Sequence, residues 1–336
     1  MIRESIAALV ESKSLGREQA RATMLEIMSG EATSAQIAAY ITALRLRGET
    51  AEVIAGSAEA MRQKFTAVEA GAKVVADIVG TGGDCAHTFN ISTCAALVAA
   101  GAGVVVAKHG NRSVSSKCGS ADVFAALGVN LEIGPDMMAR ALCEVGIAFL
   151  FAPALHPAMK HAIGPRREIG IRTIFNILGP ISNPAGAQHG LVGVYSAALV
   201  PVIAEALVVL DAQHMFVVHG LDGLDEITTT TGTLVAEILH GHVRQYEIHP
   251  RDVGLPTAQA ADLVGGDPAA NAEIIRGILA GQKGPRRDIV LLNAAAAIFS
   301  AGKARDLREG VAVAAHSIDS GAARQKLDAL VALTRG

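Results

Sequence analysis

The sequence predicts an α/β protein with a small N-terminal helical domain, a large α/β domain built on a mainly parallel central sheet, and a C-terminal helical cover. Three observations carry this expectation. Over roughly the first 65 positions apolar residues recur at intervals of three and four, the helical period. From Val74 onward apolar strand-like runs alternate with helical ones, the pattern of a parallel sheet covered by helices. The last stretch of about 70 residues is rich in Ala, Leu and Val at helical spacing. At 336 residues the chain is long enough for two such domains.

Four short helices account for the N-terminal segment. Their stripes are Ile6-Leu9-Val10, Met24-Ile27-Met28, Ile37-Tyr40-Ile41-Leu44 and Val53-Ile54-Met61. Ser14-Leu15-Gly16, Gly30, a Thr33-Ser34 cap, Gly48 and a Thr50 cap with Glu52 in the first turn set the boundaries. Helices this short bury little alone, so the segment must pack on the rest of the chain or on another copy of it.

The next stretch holds the chemistry. A strand over 74–79 empties into Gly80-Thr81-Gly82-Gly83-Asp84. Such glycines let backbone N–H groups approach an anion with no Cβ in the way. A helix from about Cys94 follows, and Asn90, Ser92 and Thr93 beside its N-terminus make an anion site with its orphan N–H groups. A tight strand-to-helix turn with an ordinary cap would look the same. The spacing fails the dinucleotide fingerprint, because Cys85 stands where its last glycine belongs, and no G-x-x-x-x-G-K-[ST] occurs.

A second strand, over 104–107, empties into Lys108-His109-Gly110-Asn111-Arg112-Ser113-Val114-Ser115-Ser116-Lys117-Cys118-Gly119-Ser120, and a helical run starts at Ala121. Cations, serines and glycines in that density suit a diphosphate, since Lys and Arg supply charge while hydroxyls and N–H groups fill the remaining acceptor sites. The elements then expected are a helix over 135–144, a strand over 147–151, a helix around 166–178, a strand over 191–195, a helix over 200–210 and a strand over 215–218. Open parallel sheets bind ligands at the carboxyl ends of their strands, where both loops fall.

A third candidate, His219-Gly220-Leu221-Asp222-Gly223-Leu224-Asp225-Glu226, lies at another such end. Adjacent carboxylates on a regular strand face opposite ways, so Asp225 and Glu226 share a site only if Gly220 and Gly223 bend the chain. Two carboxylates without a cysteine suit a hard cation such as Mg²⁺, which keeps waters and completes its shell with substrate phosphates. An isolated acidic turn would otherwise be solvated surface.

Composition narrows the class. Apolar residues make up 51% and there is no Trp, which suits a helix-rich globular chain. Net charge is −3, which argues against a nucleic-acid-binding surface. No apolar run reaches the ~18 residues of a membrane span, and the opening residues lack a signal peptide's basic start and apolar core, so a cytoplasmic protein is expected. Cys85, Cys94, Cys118 and Cys143 form no metal-binding or redox spacing and read as reduced thiols, with Cys94 and Cys143 expected in the core.

Several motifs in order carry a resemblance. Residues 77–84, Thr88-Phe89-Asn90-Ile91-Ser92-Thr93, 108–122, His156-Pro157-Ala158-Met159-Lys160, 170–180 and Gly223-Leu224-Asp225-Glu226 are similar to the anthranilate phosphoribosyltransferase family of tryptophan biosynthesis. The likeness spans essentially the whole chain, with one departure: the family commonly has glycine at the position of Cys85.

The resemblance implies transfer of the phosphoribosyl group of 5-phosphoribosyl diphosphate to the amine of anthranilate, with two Mg²⁺ ions per active site. It implies that Gly80, Gly82, Gly83, Asp84, Thr88, Asn90, Ile91, Ser92, Thr93, Lys108, His109, Gly110, Asn111, Arg112, Ser113, Ser116, Lys117 and Ser120 bind the diphosphate substrate. Asp225, Glu226 and Ser92 would hold metal. Arg166 and Asn111 match the family's acceptor-carboxylate residues, although Arg166 or its neighbour Arg167 could equally be a helix-surface charge. Gly80, His109, His156 and Pro180 would line the same pocket. No covalent nucleophile or general base stands out. A homodimer through the helical domain, and a division into 1–70, joined by helices from about 165–185, and 71–336, are further expectations. The rivals are a pyrimidine nucleoside phosphorylase-like enzyme, which should lack the Arg166 segment and the Asp225-Glu226 pair as they stand here, and a non-catalytic nucleic-acid-binding relative.

Overall fold

A computed structural model describes residues 1–84, 86–112 and 117–336. Four helices open the chain: α1 (Ile2–Val10), α2 (Arg17–Met28), α3 (Ser34–Arg47) and α4 (Ala51–Arg62). The side chains of Thr33 and Thr50 accept from Gln36 N and Val53 N, as capping residues do. The apolar stripes turn inward except at Val10, which is 74% exposed at the end of α1.

The alternating segment follows as β1 (Ala76–Gly80), α5 (Ile91–Gly101), β2 (Val106–Gly110), α6 (Ser120–Leu127), α7 (Pro135–Arg140), β3 (Ile147–Phe151), α8 (Ala152–Leu155), α9 (Lys160–Ile169), α10 (Ile174–Leu178), β4 (His189–Gly193), α11 (Leu199–Val209) and β5 (His214–Gly220). Two expected helices differ. The one over 135–144 keeps α-geometry only to Arg140 and continues as a π-turn over Ala141–Val145. The one around 166–178 is two helices, because Gly170 takes φ +63 and closes α9 with its N–H on Arg166 O. Cys94 is buried, but Cys143 is exposed, because it lies on the outer side of that π-turn.

After β5 the chain forms a hairpin that the periodicity does not place, β6 (Thr233–Leu239) and β7 (His242–Ile248). Four helices then close the chain: α12 (Pro268–Leu279), α13 (Pro285–Ser300), α14 (Leu307–Asp319) and α15 (Ala322–Arg335). The strands make one sheet in the order β3-β2-β1-β4-β5-β6-β7, parallel from β3 to β5 and antiparallel beyond.

Strand alternation sorts the sheet's side chains between two cores. Ile78, Leu191, Phe216, Val218 and Val235 face α5 and the C-terminal helices. Val79, Val192, Met215, Val217, Ala236 and Ile238 face α11 and share one continuous core with α1–α4 and α10. α9 and α10 pack on α2, α3 and α4. The chain leaves β1 toward β2 and β3 on one side and returns to β4 on the other. The crevice at the carboxyl ends of β1 and β4 is therefore the switch point at which open α/β sheets hold ligands. Among the described residues no helix is long and apolar enough to cross a membrane.

Candidate active site

Asp225 and Glu226 are inserted into that crevice. The loop after β5 is tied by Gly220 N to Leu224 O, Gly223 N to Gly220 O and Leu221 N to Gly232 O, and Gly223 takes φ +97. The expected bend is thus present, and both carboxylates are buried rather than solvated. The insertion requires two glycines at strand ends. A Cβ on Gly193 would stand 1.6 Å from Asp225 O, and one on Gly80 would stand 2.3 Å from Asp225 Oδ2.

Once inserted, the pair takes the N–H groups of the first loop and of the helix N-terminus. Gly82 N donates to Asp225 Oδ2 at 2.6 Å, and Ser92 N donates to Glu226 Oε1 at 3.1 Å. Helix α5 starts at Ile91, so Ser92 and Thr93 lie inside its first turn. Ile91 and Thr93 are buried, whereas Ser92, whose N–H meets Glu226, is only partly buried. Burial, and for Asp225 the Asp84 carboxylate beside it, raise the pKa of Asp225; burial and the Asp225 charge raise that of Glu226. Among the described residues Glu226 Oε2 is buried without a hydrogen-bond partner. An orphaned carboxylate oxygen among oxygen donors fits a divalent cation. Among the described residues no three His, Cys, Asp or Glu side chains form a ready-made metal cage.

Lys108 lies beneath this pair, 2% exposed, rather than out in its loop. Its Nζ donates to Ile78 O at 2.6 Å and stands 3.5 Å from Ser92 Oγ. Burial lowers its pKa while Asp77, Glu226 and Asp225 raise it, so its charge answers three carboxylates. The outer part of the loop is open: Asn111, Arg112 and Lys117 are exposed, Arg112 pairs with Asp122 at 3.0 Å, and Ser120 Oγ donates to Asn111 O at 3.3 Å. Gly110 is half-buried where β2 ends. Cys85, Ser113 and Ser116 lie outside the described residues.

Two expected binders hold other parts of the chain. Asn90 donates to Cys118 O at 3.2 Å and accepts from Asn271 at 2.9 Å, and Thr88 bridges to Val264. Both therefore fasten the glycine loop to the C-terminal half. Arg172, inside the 170–180 motif but given no role there, donates to Gly83 O and lies over the Tyr195 ring at 4.4 Å. Nothing local in the sequence signals this, because the contact joins residues 89 positions apart.

Opposite, His109 and His156 lie together, with Gly179, the neighbour of Pro180, against the His109 ring. His109 Nδ1 lies 3.1 Å from Gly179 O, so that nitrogen carries the proton. In a neutral ring Nε2 must then accept, and His156 Nε2 donates to it at 3.2 Å. Burial depresses both rings, His109 to about 3, helped by its neighbour, and His156 to about 4. Arg166, half-buried on α9, lies 5.1 Å from the Phe175 ring centroid, and burial lowers its pKa. Arg167 is exposed.

Residues 3–65 match the helical bundle domain of the glycosyl transferase family, and residues 72–324 match its a/b domain. An anthranilate phosphoribosyltransferase of Anaeromyxobacter sp. strain K is 58% identical over 334 residues, 99% of each chain. The chain belongs to the anthranilate phosphoribosyltransferase family. The crystal structure of the Thermus thermophilus anthranilate phosphoribosyltransferase superposes with a TM-score of 0.94 at 43% identity, covering 99% of both chains. That of Saccharomyces cerevisiae, in complex with PRPP and Mg, superposes at 0.91 with 29% identity, covering 99% of this chain and 98% of that one. An anthranilate phosphoribosyltransferase is a glycosyltransferase, so two sides are required of its site, one for a diphosphate leaving group and one for an aromatic amine.

Proposed function

We propose that the chain transfers the phosphoribosyl group of 5-phosphoribosyl diphosphate to the amine of anthranilate at this crevice, giving N-(5-phosphoribosyl)anthranilate and diphosphate. The observation that carries the site is the convergence of the glycine loop, the α5 N-terminus and the buried Asp225-Glu226 pair at the sheet's switch point. The bond from the anomeric carbon to the diphosphate oxygen breaks, the amine nitrogen bonds to that carbon, and the nitrogen then gives up a proton to water. The sugar becomes oxocarbenium-like as the leaving group departs, so the required help is charge neutralisation and alignment of the amine.

Asp225, Glu226 and the Ser92 hydroxyl would hold Mg²⁺, two ions per site in this reading, and the metal would supply positive charge to offset that of the diphosphate. Lys108 sets the charge of the carboxylates from below. Gly80, Gly82, Gly83 and Asp84, with Asn111, Arg112, Lys117 and Ser120, take the phosphates and ribose. Arg166 receives the anthranilate carboxylate, and His109, His156 and Pro180 form the neutral wall for its ring. Burial keeps both histidines neutral at pH 7, and the amine's free lone pair needs no base before attack. We also propose a homodimer through the helical part, a division into 1–70 with the helices near 165–185 and 71–336, and a cytoplasmic site of action.

The test follows anthranilate fluorescence in the presence of 5-phosphoribosyl diphosphate and Mg²⁺. Loss of the signal is expected with these three components and not with inorganic phosphate and a pyrimidine nucleoside. Asp225→Asn with Glu226→Gln should remove turnover while a folded protein still binds anthranilate. Near-normal activity of the double variant at limiting Mg²⁺ would refute the metal assignment.

A further inference from the structure

Behind the acceptor wall lies a closed circuit of buried hydrogen bonds. Asp77, on β1, accepts through Oδ1 from His109 N at 3.2 Å and through Oδ2 from Asn183 Nδ2 at 2.7 Å. Asn183 Nδ2 also donates to Ala107 O at 2.8 Å, and its Oδ1 accepts from Ala185 N at 2.9 Å. Four residues earlier on the same segment, Gly179 O accepts from His109 Nδ1. His109 is therefore gripped at both ends: by its backbone N–H through Asp77, and by its ring through a segment that Asn183 fastens to the same Asp77. From the other side Arg62 Nη2, on α4, donates to Ile181 O at 2.8 Å.

We infer that Asn183 and Asp77 are positioning residues for the acceptor: they set the separation between the His109 ring and the Gly179-Pro180 wall, and so the fit of the aromatic amine. This inference rests on the phosphoribosyl-transfer reading and deepens it. Neither side chain lies among the phosphate-binding groups. Asp77 is 2% and Asn183 5% exposed, and every polar atom of both side chains is hydrogen-bonded within the protein, so contact with substrate is not their task. A buried amide that bridges a carboxylate and two backbone groups holds its segment to a narrow range of positions, because every displacement leaves a buried polar group unpaired. An acceptor wall that shifts by a fraction of an ångström misaligns the amine without touching the diphosphate side.

The experiment compares the full chain with Asn183→Ala and Asn183→Ser, at saturating Mg²⁺, varying each substrate in turn. The expected result is an anthranilate KM raised about tenfold in the Ala variant, less in Ser, with the diphosphate substrate's KM unchanged within about twofold. Should Asn183→Ala fail to fold, Asn183→Ser decides by the same criterion. In parallel, ¹⁵N-histidine NMR follows the hydrogen-bonded Nδ1–H of His109, which is expected to be protected from exchange in the parent chain and to exchange faster in either variant. Equal changes in both KM values, or an unaltered Nδ1–H signal, would overturn the inference. A parent chain that does not consume anthranilate refutes the proposed reaction instead, and the NMR comparison still decides whether Asn183 fixes His109.

Discussion

Among the described residues the Arg166 guanidinium has no hydrogen-bond or ion-pair partner, only the Phe175 face. A half-buried cation left in this way is ready for an incoming carboxylate. Losing one charge-assisted hydrogen bond costs roughly 1.5–3 kcal/mol, so Arg166→Ala should lower kcat/KM for anthranilate by about tenfold to a hundredfold. The KM for the diphosphate substrate should hardly move, and Arg167→Ala, on the exposed side, should be near the parent in both. Steady-state kinetics decide it, and an anthranilate defect confined to the Arg167 variant would reverse the assignment. The His109-His156 pair makes a pH prediction. Both rings stay neutral in the fold to about pH 3 and 4, whereas an unfolded histidine takes a proton near 6.5. Between those values the unfolded state binds more protons, so stability is full above pH 6.5 and declines as pH falls toward 4. Thermal melts from pH 7.5 to 4.5 should show that decline, and His109→Gln with His156→Gln should flatten it. An unchanged slope in the double variant would assign the acid sensitivity to other groups.

At the scale of elements, the Asp225-Glu226 loop depends on strand ends that admit it. Gly193→Ala would force the loop out by its backbone, a clash that no rotamer relieves. Overpacking of this kind costs about 1–3 kcal/mol, so the variant should melt several degrees lower and lose Mg²⁺-dependent turnover. Gly134→Ala, with open space around it, is the control that should keep both. A Gly193→Ala variant with parent-like metal dependence would mean that the loop can bind metal elsewhere. These glycines show where the sequence was legible. Glycine-rich strand ends, caps at Thr33 and Thr50, and carboxylates beside Gly223 are local signals, and each was readable from its neighbours. Hairpin β6–β7 was missed although its two-residue turn at His240-Gly241, both at positive φ, and the alternation in Thr233–Leu239 were there to find. The break at Gly170 was missed because the apolar spacing of 166–178 runs through it. Arg172 on Gly83 and Asn183 on Asp77 were out of reach, because only the folded sheet brings such distant residues together.

Across the whole molecule, the exposed apolar residues at one end of the helical part bear on assembly. The ends of α1 and α3 lie side by side, joined by Arg47 Nη2 to Ser12 O at 3.2 Å, and there Val10 is 74% and Leu46 81% exposed. For a dimer through this part of the chain, Val10→Lys with Leu46→Glu should shift the protein from dimer to monomer in light scattering, with its melting temperature nearly unchanged. A parent chain that is already monomeric would refute the dimer, and a double variant that stays dimeric would place the contact elsewhere. The shared core has a different consequence, for inheritance. Because α1–α4 bury their apolar faces in one continuous mass with α10, α11 and the underside of β1, β4, β5 and β6, they are not a cassette that can be exchanged alone. A gene crossover that replaced only this N-terminal block would have to match the shape of residues more than a hundred positions downstream, around Ile174, Ile181 and Ile203. Viable hybrids between relatives should therefore have joints that carry α1–α4 and the α9–α11 stretch from the same parent.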